Sequence, residues 1–427
     1  MTTLLAVLFL VHQEQVKPEL YNGKTIYELV VGKPTGRNGY EEFVEAAMRV
    51  DKPLQKLASE TPAFGTPHFL DSQKALAESA PQFETTVTKG LQKDVSYPVA
   101  DCTYATLCPE FAKFKTIQRV LVAQATVRFS EGSPLSACKT LANTLDFATK
   151  LRGTGFLVEY YVACSLQNIA TQCAAHALDQ FPLEGAQAVE KAAERALKVD
   201  ALKNSLLNEQ DMGGRTLKGA LEDPRGWILS MGITKDELDQ EPEPNQRNQF
   251  REWCQFSPEK RKFLLDSALL ANSNWFEKEV ARYNLPEAKW SDYRVPDPDS
   301  DAAVALTAVP FIMMDSIWGD DDLFEIEIRR RTTLRLLILH CKIIAYRWKH
   351  GVLPTSLDDL DDKAATYDPL NTEPFHYQLN GSEYVLYSKG DKRWGQMFLE
   401  QSKATESDDG SGPGGPKEVA WSRSFWR

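Results

Sequence analysis

Apolar side chains recur along this chain at helical spacing, and the interruptions between runs mark where helices turn. Over 38–50 (NGYEEFVEAAMRV), Phe43, Ala46, Ala47 and Val50 fall at i, i+3, i+4 and i+7, the pattern of an amphipathic helix. Scattered prolines after it predict only short helices up to Pro109. There the signal strengthens. Phe111, Phe114, Ile117 and Leu121 mark one face of a helix to about Ser130, and Glu131-Gly132-Ser133-Pro134 breaks it. Cys138, Leu141, Leu145 and Ala148 line a second helix, which ends at Gly153-Thr154-Gly155. Leu166, Ile169, Ala170, Cys173 and Ala177 line a third, and an Ala-rich fourth is predicted from about Leu183 to Leu207. Short breaks between long helices imply antiparallel neighbours. The first pair has the look of a tetratricopeptide-type hairpin, although no clean 34-residue repeat is present.

Further along, 239–248 (DQEPEPNQRN) reads as a polar linker. Ser257-Pro258-Glu259 is a strong helix start: a capping hydroxyl, proline at the first helical position, then an acid at the positive end of the dipole. That helix is expected to reach Tyr283. A second linker covers 291–300, and the apolar segment 302–318 is interrupted by Pro310. Leu334, Leu337, Ile338, Cys341, Ala345 and Trp348 then form one helical face, widened by Leu336, Leu339 and Ile343. A helix this broadly apolar belongs at the centre of its domain. It stops at His350-Gly351, and Pro354 keeps it from restarting. Two short strands, 375–379 and 384–387, are joined through Asn380-Gly381, a strong hairpin dipeptide. Residues 407–416 form a Gly/Asp-rich loop, and Val419 to Trp426 is a candidate returning strand. The fold class expected is mainly α: antiparallel helical hairpins followed by a small α+β unit with a short antiparallel sheet. The expected division is 14–238, 249–319 and 320–427.

The string from Tyr346 to Leu360 (YRWKHGVLPTSLDDL), then Asp368-Pro369 and Asn371, then Tyr377, then Tyr384 to Asp391 (YVLYSKGD), resembles the C-terminal half of type II secretion major pseudopilins. The likeness covers roughly residues 325–395. The arrangement of the whole chain is similar to long exported proteins of planctomycete and armatimonadete type. The resemblance implies a pseudopilin-like C-terminal module and an envelope setting, and it implies no catalytic residues. Major pseudopilins hold calcium through aspartates in the loop after the sheet. By that resemblance Asp391, Asp408 and Asp409 are the calcium candidates, with Gly410, Gly412, Gly414 and Gly415 supplying turns. The family's compact Asp-Gly spacing is absent, because Trp394 to Ser407 intervenes, and an acidic tail is the alternative reading.

Composition narrows the function classes. The chain has 427 residues, 42% apolar and 26% charged, which excludes a disordered or collagen-like chain and a polytopic membrane protein. Its net charge of -11 argues against a phosphate-backbone binder, so no nucleic-acid partner is expected. No transmembrane span is expected either. The run Leu4 to Val11 is far shorter than the roughly 20 residues that cross a bilayer. Residues 1–13 instead read as a short signal peptide, against a buried first strand or helix turn. The N-terminal reading and the resemblance together place the protein in the exported, periplasmic or envelope fraction, the cytoplasm being the alternative.

Of the seven cysteines, Cys138, Cys164, Cys173, Cys254 and Cys341 sit in helical apolar patterns and read as small hydrophobes. Cys102 and Cys108 lie in a Pro-bounded loop. They are candidates for a short disulfide if the chain is exported, or two thiols otherwise. His340 and His350 are about 15 Å apart along one helix, too far to share an ion, and read with His376 as core or capping histidines. Gly23-Lys24-Thr25 lacks the upstream glycine of a phosphate loop. Arg329-Arg330-Arg331 follows Glu325 and Glu327, and i,i+4 pairing on a solvated face is the expectation. There is no H-E-x-x-H and no G-x-S-x-G string. The expected function is therefore non-enzymatic: an exported or envelope-associated protein that works through protein–protein contacts. A type II secretion or pilus-like component and an enzyme with a dispersed site are the alternatives.

Overall fold

The computed structural model describes residues 19–21, 23–62, 64–98, 101–103, 106–153, 155–223, 226, 255–290, 323–360, 366–370, 373–390 and 419–420. The expected signal peptide, the linkers at 239–248 and 291–300, the segment 302–318 and the Gly/Asp-rich loop lie outside the described residues.

The described chain is mainly helical. Five short helices come first: α1 (Ile26–Val30), α2 (Tyr40–Met48), α3 (Lys52–Ser59), α4 (Phe69–Ser79) and α5 (Phe83–Leu91). Longer ones follow: α6 (Glu110–Ser130), α7 (Pro134–Arg152), α8 (Leu157–Ala177), α9 (Leu183–Lys198), α10 (Ala201–Glu222), α11 (Pro258–Tyr283) and α12 (Leu323–His350). Strands β1 (His376–Asn380), β2 (Glu383–Ser388) and β3 (Val419–Ala420) make an antiparallel sheet in that order.

The predicted stripes are largely the buried ones, although of the α8 stripe only Leu166, Ala170 and Ala177 are buried while Ile169 and Cys173 are half-buried. Phe43, Ala46, Ala47 and Val50 are buried, as are Phe111, Phe114, Ile117 and Leu121 of α6 and Cys138, Leu141, Leu145 and Ala148 of α7. Successive helices pack on one another, α6 on α7 and α7 on α8, and α7 also packs on α9 and α10 on α11. Ser257 caps α11 by accepting the Lys260 N–H at 3.2 Å, with Pro258 at the first helical position, as its sequence requires.

The fourth predicted helix is two. The chain is extended at Val199 (φ -86, ψ 118), and Asp200 opens α10. The break has a physical cause in the buried Arg152 at the end of α7. Its guanidinium donates to the Ala196 carbonyl at 2.5 Å and to the Val199 carbonyl at 3.4 Å, taking up acceptors that a continuing helix would have used.

Helix α12 is as central as its composition demands. Leu334, Leu336, Leu337, Ile338, Leu339, Cys341 and Ile343 are all buried, and the helix packs on α8, α9 and β2. These side chains share one hydrophobic cluster with Cys138, Leu141 and Leu145 of α7 and with Ala186 and Val189 of α9. Among the described residues the C-terminal unit thus shares its core with the helices upstream. Trp348 departs from the pattern. It is 57% exposed, because the last turn of α12 carries it to the rim, where its indole N–H donates to the Phe181 carbonyl at 3.1 Å.

Gly351 ends α12 at φ 74, a left-handed position that suits glycine, and its N–H returns to the Arg347 carbonyl. Leu357 and Leu360 then fold back onto the core. In the hairpin, Asn380 pairs with Glu383 and Gly381 takes φ 64, as a two-residue turn requires. Asp368 fixes the approach: it is buried, accepts the Leu370 N–H at 3.0 Å, and accepts the Ser388 hydroxyl of β2 at 2.7 Å.

Candidate functional site

Two buried polar centres stand out, each built around one glutamate. The first surrounds Glu327, in the first turns of α12. Its carboxylate takes a two-pronged contact from Arg330, with Nε to Oε2 at 2.7 Å and Nη2 to Oε1 at 2.6 Å. Arg331 Nε donates to Oε1 at 2.7 Å, and the Tyr160 hydroxyl of α8 donates to Oε2 at 2.8 Å. The network extends outward. Arg331 reaches Glu287 at 2.5 Å and the Tyr283 hydroxyl at 2.7 Å; Arg335 reaches Glu287 at 2.8 Å; Tyr283 donates to Asp200 at 3.0 Å. Burial alone would push the Glu327 carboxyl up, but Arg330, Arg331 and Arg152 overcome it and hold the group well below the usual carboxylate range. Arg152 is pushed down to about 10, by burial first and by Arg330 next.

The expected solvated face on Arg329-Arg330-Arg331 is therefore corrected in part. Arg329 pairs with Glu325 at i,i+4 as expected. Arg330 and Glu327 are buried, because the first half of α12 runs against α8 and the junction of α9 with α10.

The second centre surrounds Glu110, the first residue of α6. It is fully buried, and the Tyr40 hydroxyl of α2 donates to its Oε1 at 3.2 Å. Among the described residues its Oε2 has no hydrogen-bond partner. The Tyr97 hydroxyl lies against the carboxyl too and is 3.3 Å from Cys108 Sγ. The carboxylate of Glu159, in the first turn of α8, acts on Tyr40 and on both nearby thiols. No cation contacts Glu110 among the described residues. Burial pushes its carboxyl up to about 7, against the lowering pull of its own backbone N–H, Tyr40 and Tyr97. Phe111, Phe114 and Phe156 pack around Tyr40 and Tyr97 and keep the dielectric low.

Of the residues singled out in the sequence, Cys102 and Cys108 adjoin this second centre. They are thiols here, so the disulfide alternative is not the state described. Asp391, Asp408 and Asp409 lie outside the described residues, and the calcium expectation with them. Among the described residues no group of three or more His, Cys, Asp and Glu is placed to hold a metal ion. His340 is a core histidine, its Nδ1 2.7 Å from the Tyr384 hydroxyl. His350 packs on Tyr346 and His376 on Tyr387, so the three rings stay apart. Thr25 of the Gly-Lys-Thr string caps α1 in a reciprocal box with Glu28. No described helix is long and apolar enough to cross a membrane.

Sequence reasoning missed both glutamates. Glu110 looks like an ordinary acid at a helix start, and Glu327 like half of a surface pair. The available signal was slight: Glu110 directly precedes Phe111 of the apolar stripe, and Glu327 lies on the helix whose later turns are broadly apolar. No family model, no curated protein and no solved structure matches the chain.

Chemically the two centres differ. The Glu327 network is saturated with charge-assisted hydrogen bonds and suits locking helices together. The Glu110 centre holds a carboxyl that exchanges its proton near neutrality beside two phenols and two thiols.

Proposed function

We propose that this protein is a non-enzymatic, exported or envelope-associated protein that acts by contact with another protein. The observation that carries the reading is on α11. Phe263 and Leu270 are 67% and 63% exposed and lie seven residues apart, hence on one side of the helix. Large apolar side chains held in water on a rigid helix are the kind of surface a partner protein covers. The antiparallel pairs α6–α7 and α7–α8 are compatible with tetratricopeptide-like packing. The long α12, the Gly351 and Pro354 exit, the Asp368 turn and the β1–β2 hairpin support a pseudopilin-like C-terminal module, and through it an envelope setting. The centrality of α12 favours a module that does not build a fibre, since Leu337 and Cys341 are already covered.

The test pairs the native protein with a Phe263→Ser, Leu270→Ser variant in pull-downs from the native envelope fraction. A partner that the native chain retains and the variant loses, at unchanged melting temperature, supports the reading. Equal retention by both, or none by either, overturns it. A second reading, an enzyme, is favoured by one observation only: the near-neutral carboxyl of Glu110 beside Tyr40, Tyr97 and Cys108. A small molecule that protects Cys108 from alkylation and is turned over would favour that reading.

A further inference from the structure

The loop that precedes α6 brings two thiols to one residue. The Thr106 N–H donates to the Thr103 carbonyl at 2.9 Å, and the Thr103 N–H donates to the Thr106 hydroxyl at 2.9 Å, so these two residues are tied to each other. Both cysteines then meet Thr106. The Cys108 thiol lies 3.6 Å from its carbonyl oxygen, and the Cys102 thiol hydrogen-bonds its side chain. Both thiols thus border one intervening residue, and Cys102 is near enough to act electrostatically on Cys108. The two thiols differ in access: Cys102 is buried, and Cys108 is half-buried. The loop is also tied to the rest of the fold. Arg215 of α10 donates to the Cys102 carbonyl at 2.9 Å, and Tyr97 contacts Cys108 beside Glu110.

We propose that Cys102 and Cys108 form a redox couple in which Cys108 takes up a small-molecule disulfide and Cys102 resolves it into an intramolecular bridge. In the first step the Cys108 thiol, having lost its proton to solvent, attacks one sulfur of the disulfide R–S–S–R. A Cys108–S–S–R bond forms, the S–S bond of the oxidant breaks, and one R–S anion leaves and takes up a proton. In the second step the Cys102 thiol, having lost its proton to solvent, attacks Cys108 Sγ; the bond from Cys108 Sγ to the outer sulfur breaks, and the second R–S anion leaves and takes up a proton. Two protein thiols are oxidised, and one small disulfide is reduced to two thiols. The bridge draws Cys108 Sγ away from the Tyr97 hydroxyl, which leaves that hydroxyl to Glu110. The couple thereby links the redox state of the loop to the Glu110 centre.

The surroundings set the pace. Burial raises the Cys108 thiol to about 12, with Glu110, Cys102 and Glu159 adding to it and Tyr97 opposing. Burial likewise raises Cys102 to about 11, with Arg215 and Thr106 opposing. Exchange is therefore slow at neutral pH and quickens about tenfold per pH unit while the thiolate fraction is small.

The experiment incubates the full chain with oxidised glutathione across pH 7–9, unfolds it, blocks remaining thiols with N-ethylmaleimide, and maps the peptides. The expected product is a Cys102–Cys108 bridge, lighter by two hydrogens and carrying no maleimide. Cys102→Ser should trap a lasting glutathione adduct on Cys108, and Cys108→Ser should carry neither bridge nor adduct at Cys102. Melting curves of both variants establish that they fold. Wild-type protein that keeps both thiols alkylatable, holds the adduct without resolving it, or bridges to a different cysteine overturns the proposal.

Discussion

Glu110 and Glu327 are equally buried, and the structure drives them in opposite directions. Glu327 is met by Arg330, Arg331 and Tyr160 in contact and by Arg152 behind them, so it stays ionised. Glu110 meets no cation among the described residues, so burial outweighs the pull of its own backbone N–H, Tyr40 and Tyr97, and its proton stays on until about pH 7. Burial costs the charged form of each carboxyl; what differs is whether cations repay it. One centre is a permanent clamp joining α8, α9 and α12. The other is a titrating plug between α2 and α6.

The clamp carries the larger expected effect. Glu327→Gln leaves Arg330 and Arg331 buried beside a neutral amide. Removing one partner of a buried ion pair costs about 3–5 kcal/mol, because the remaining charge is uncompensated. Urea unfolding at pH 7 should show a loss of that order. A loss under about 1 kcal/mol would mean that water reaches the arginines, and the contrast with Glu110 would collapse.

The plug should respond with the opposite sign. The folded-state value of Glu110, about 7, lies above the ordinary 4.5. Its contribution is fully present below pH 4.5 and is lost as pH rises through 7. At about 1.4 kcal/mol per pH unit, the fall across that window is roughly 3.5 kcal/mol. Glu110→Gln should abolish the fall, so the variant gains on the wild type at pH 8 and matches it near pH 4.5. Glu327 runs the other way: its contribution is present above 4.5 and is lost as pH falls below it. Unfolding free energies at pH 4, 5, 6, 7 and 8 for both variants separate the two centres. Parallel profiles would erase the distinction.

A third effect is smaller and returns to the clamp. Tyr160→Phe deletes one donor to the Glu327 carboxylate while keeping the ring in place. Hydrogen bonds to charged groups contribute about 1.5–3 kcal/mol. The loss at pH 7 should fall in that range, and the acid limb of the profile should move to higher pH, since Glu327 then holds its proton more readily.

These effects were only partly legible in the sequence. Periodicity placed the stripes of α2, α6, α7 and α12 because burial of an apolar face is a local pattern, repeated at every turn. It placed the Ser257 cap and the Asn380-Gly381 hairpin because both are set by adjacent residues. It joined α9 to α10, because what ends α9 is Arg152, distant in sequence and recruited only on folding. It overran at Trp348, since spacing says which side a residue faces and not where the covering helices stop. The two glutamates failed for the same reason. Glu327 and its i+3 and i+4 arginines look identical whether the face meets water or α8, and the Tyr40–Glu110 contact spans a sequence separation that no motif encodes.

The smallest expected effect sharpens the comparison at its weakest contact. Tyr40 donates to Glu110 Oε1 at 3.2 Å, longer than the 2.8 Å bond from Tyr160 to Glu327. At low pH its acceptor is a neutral acid, and a neutral hydrogen bond contributes about 0.5–1.5 kcal/mol. Tyr40→Phe keeps the ring packed against Phe43, Phe114 and Tyr97 and removes only the hydroxyl. Its stability loss at pH 5 should stay within that range. The informative readout is the pH profile. The Tyr40 bond favours the ionised form of Glu110, so its loss moves the Glu110 value further above 7 and extends the alkaline fall to higher pH. The two phenylalanine variants thus shift opposite limbs of the profile, Tyr160→Phe the acid one and Tyr40→Phe the neutral-to-alkaline one. If Tyr40→Phe instead shifted the step to lower pH, burial would not be what raises Glu110, and a charge near the carboxyl would have to be found.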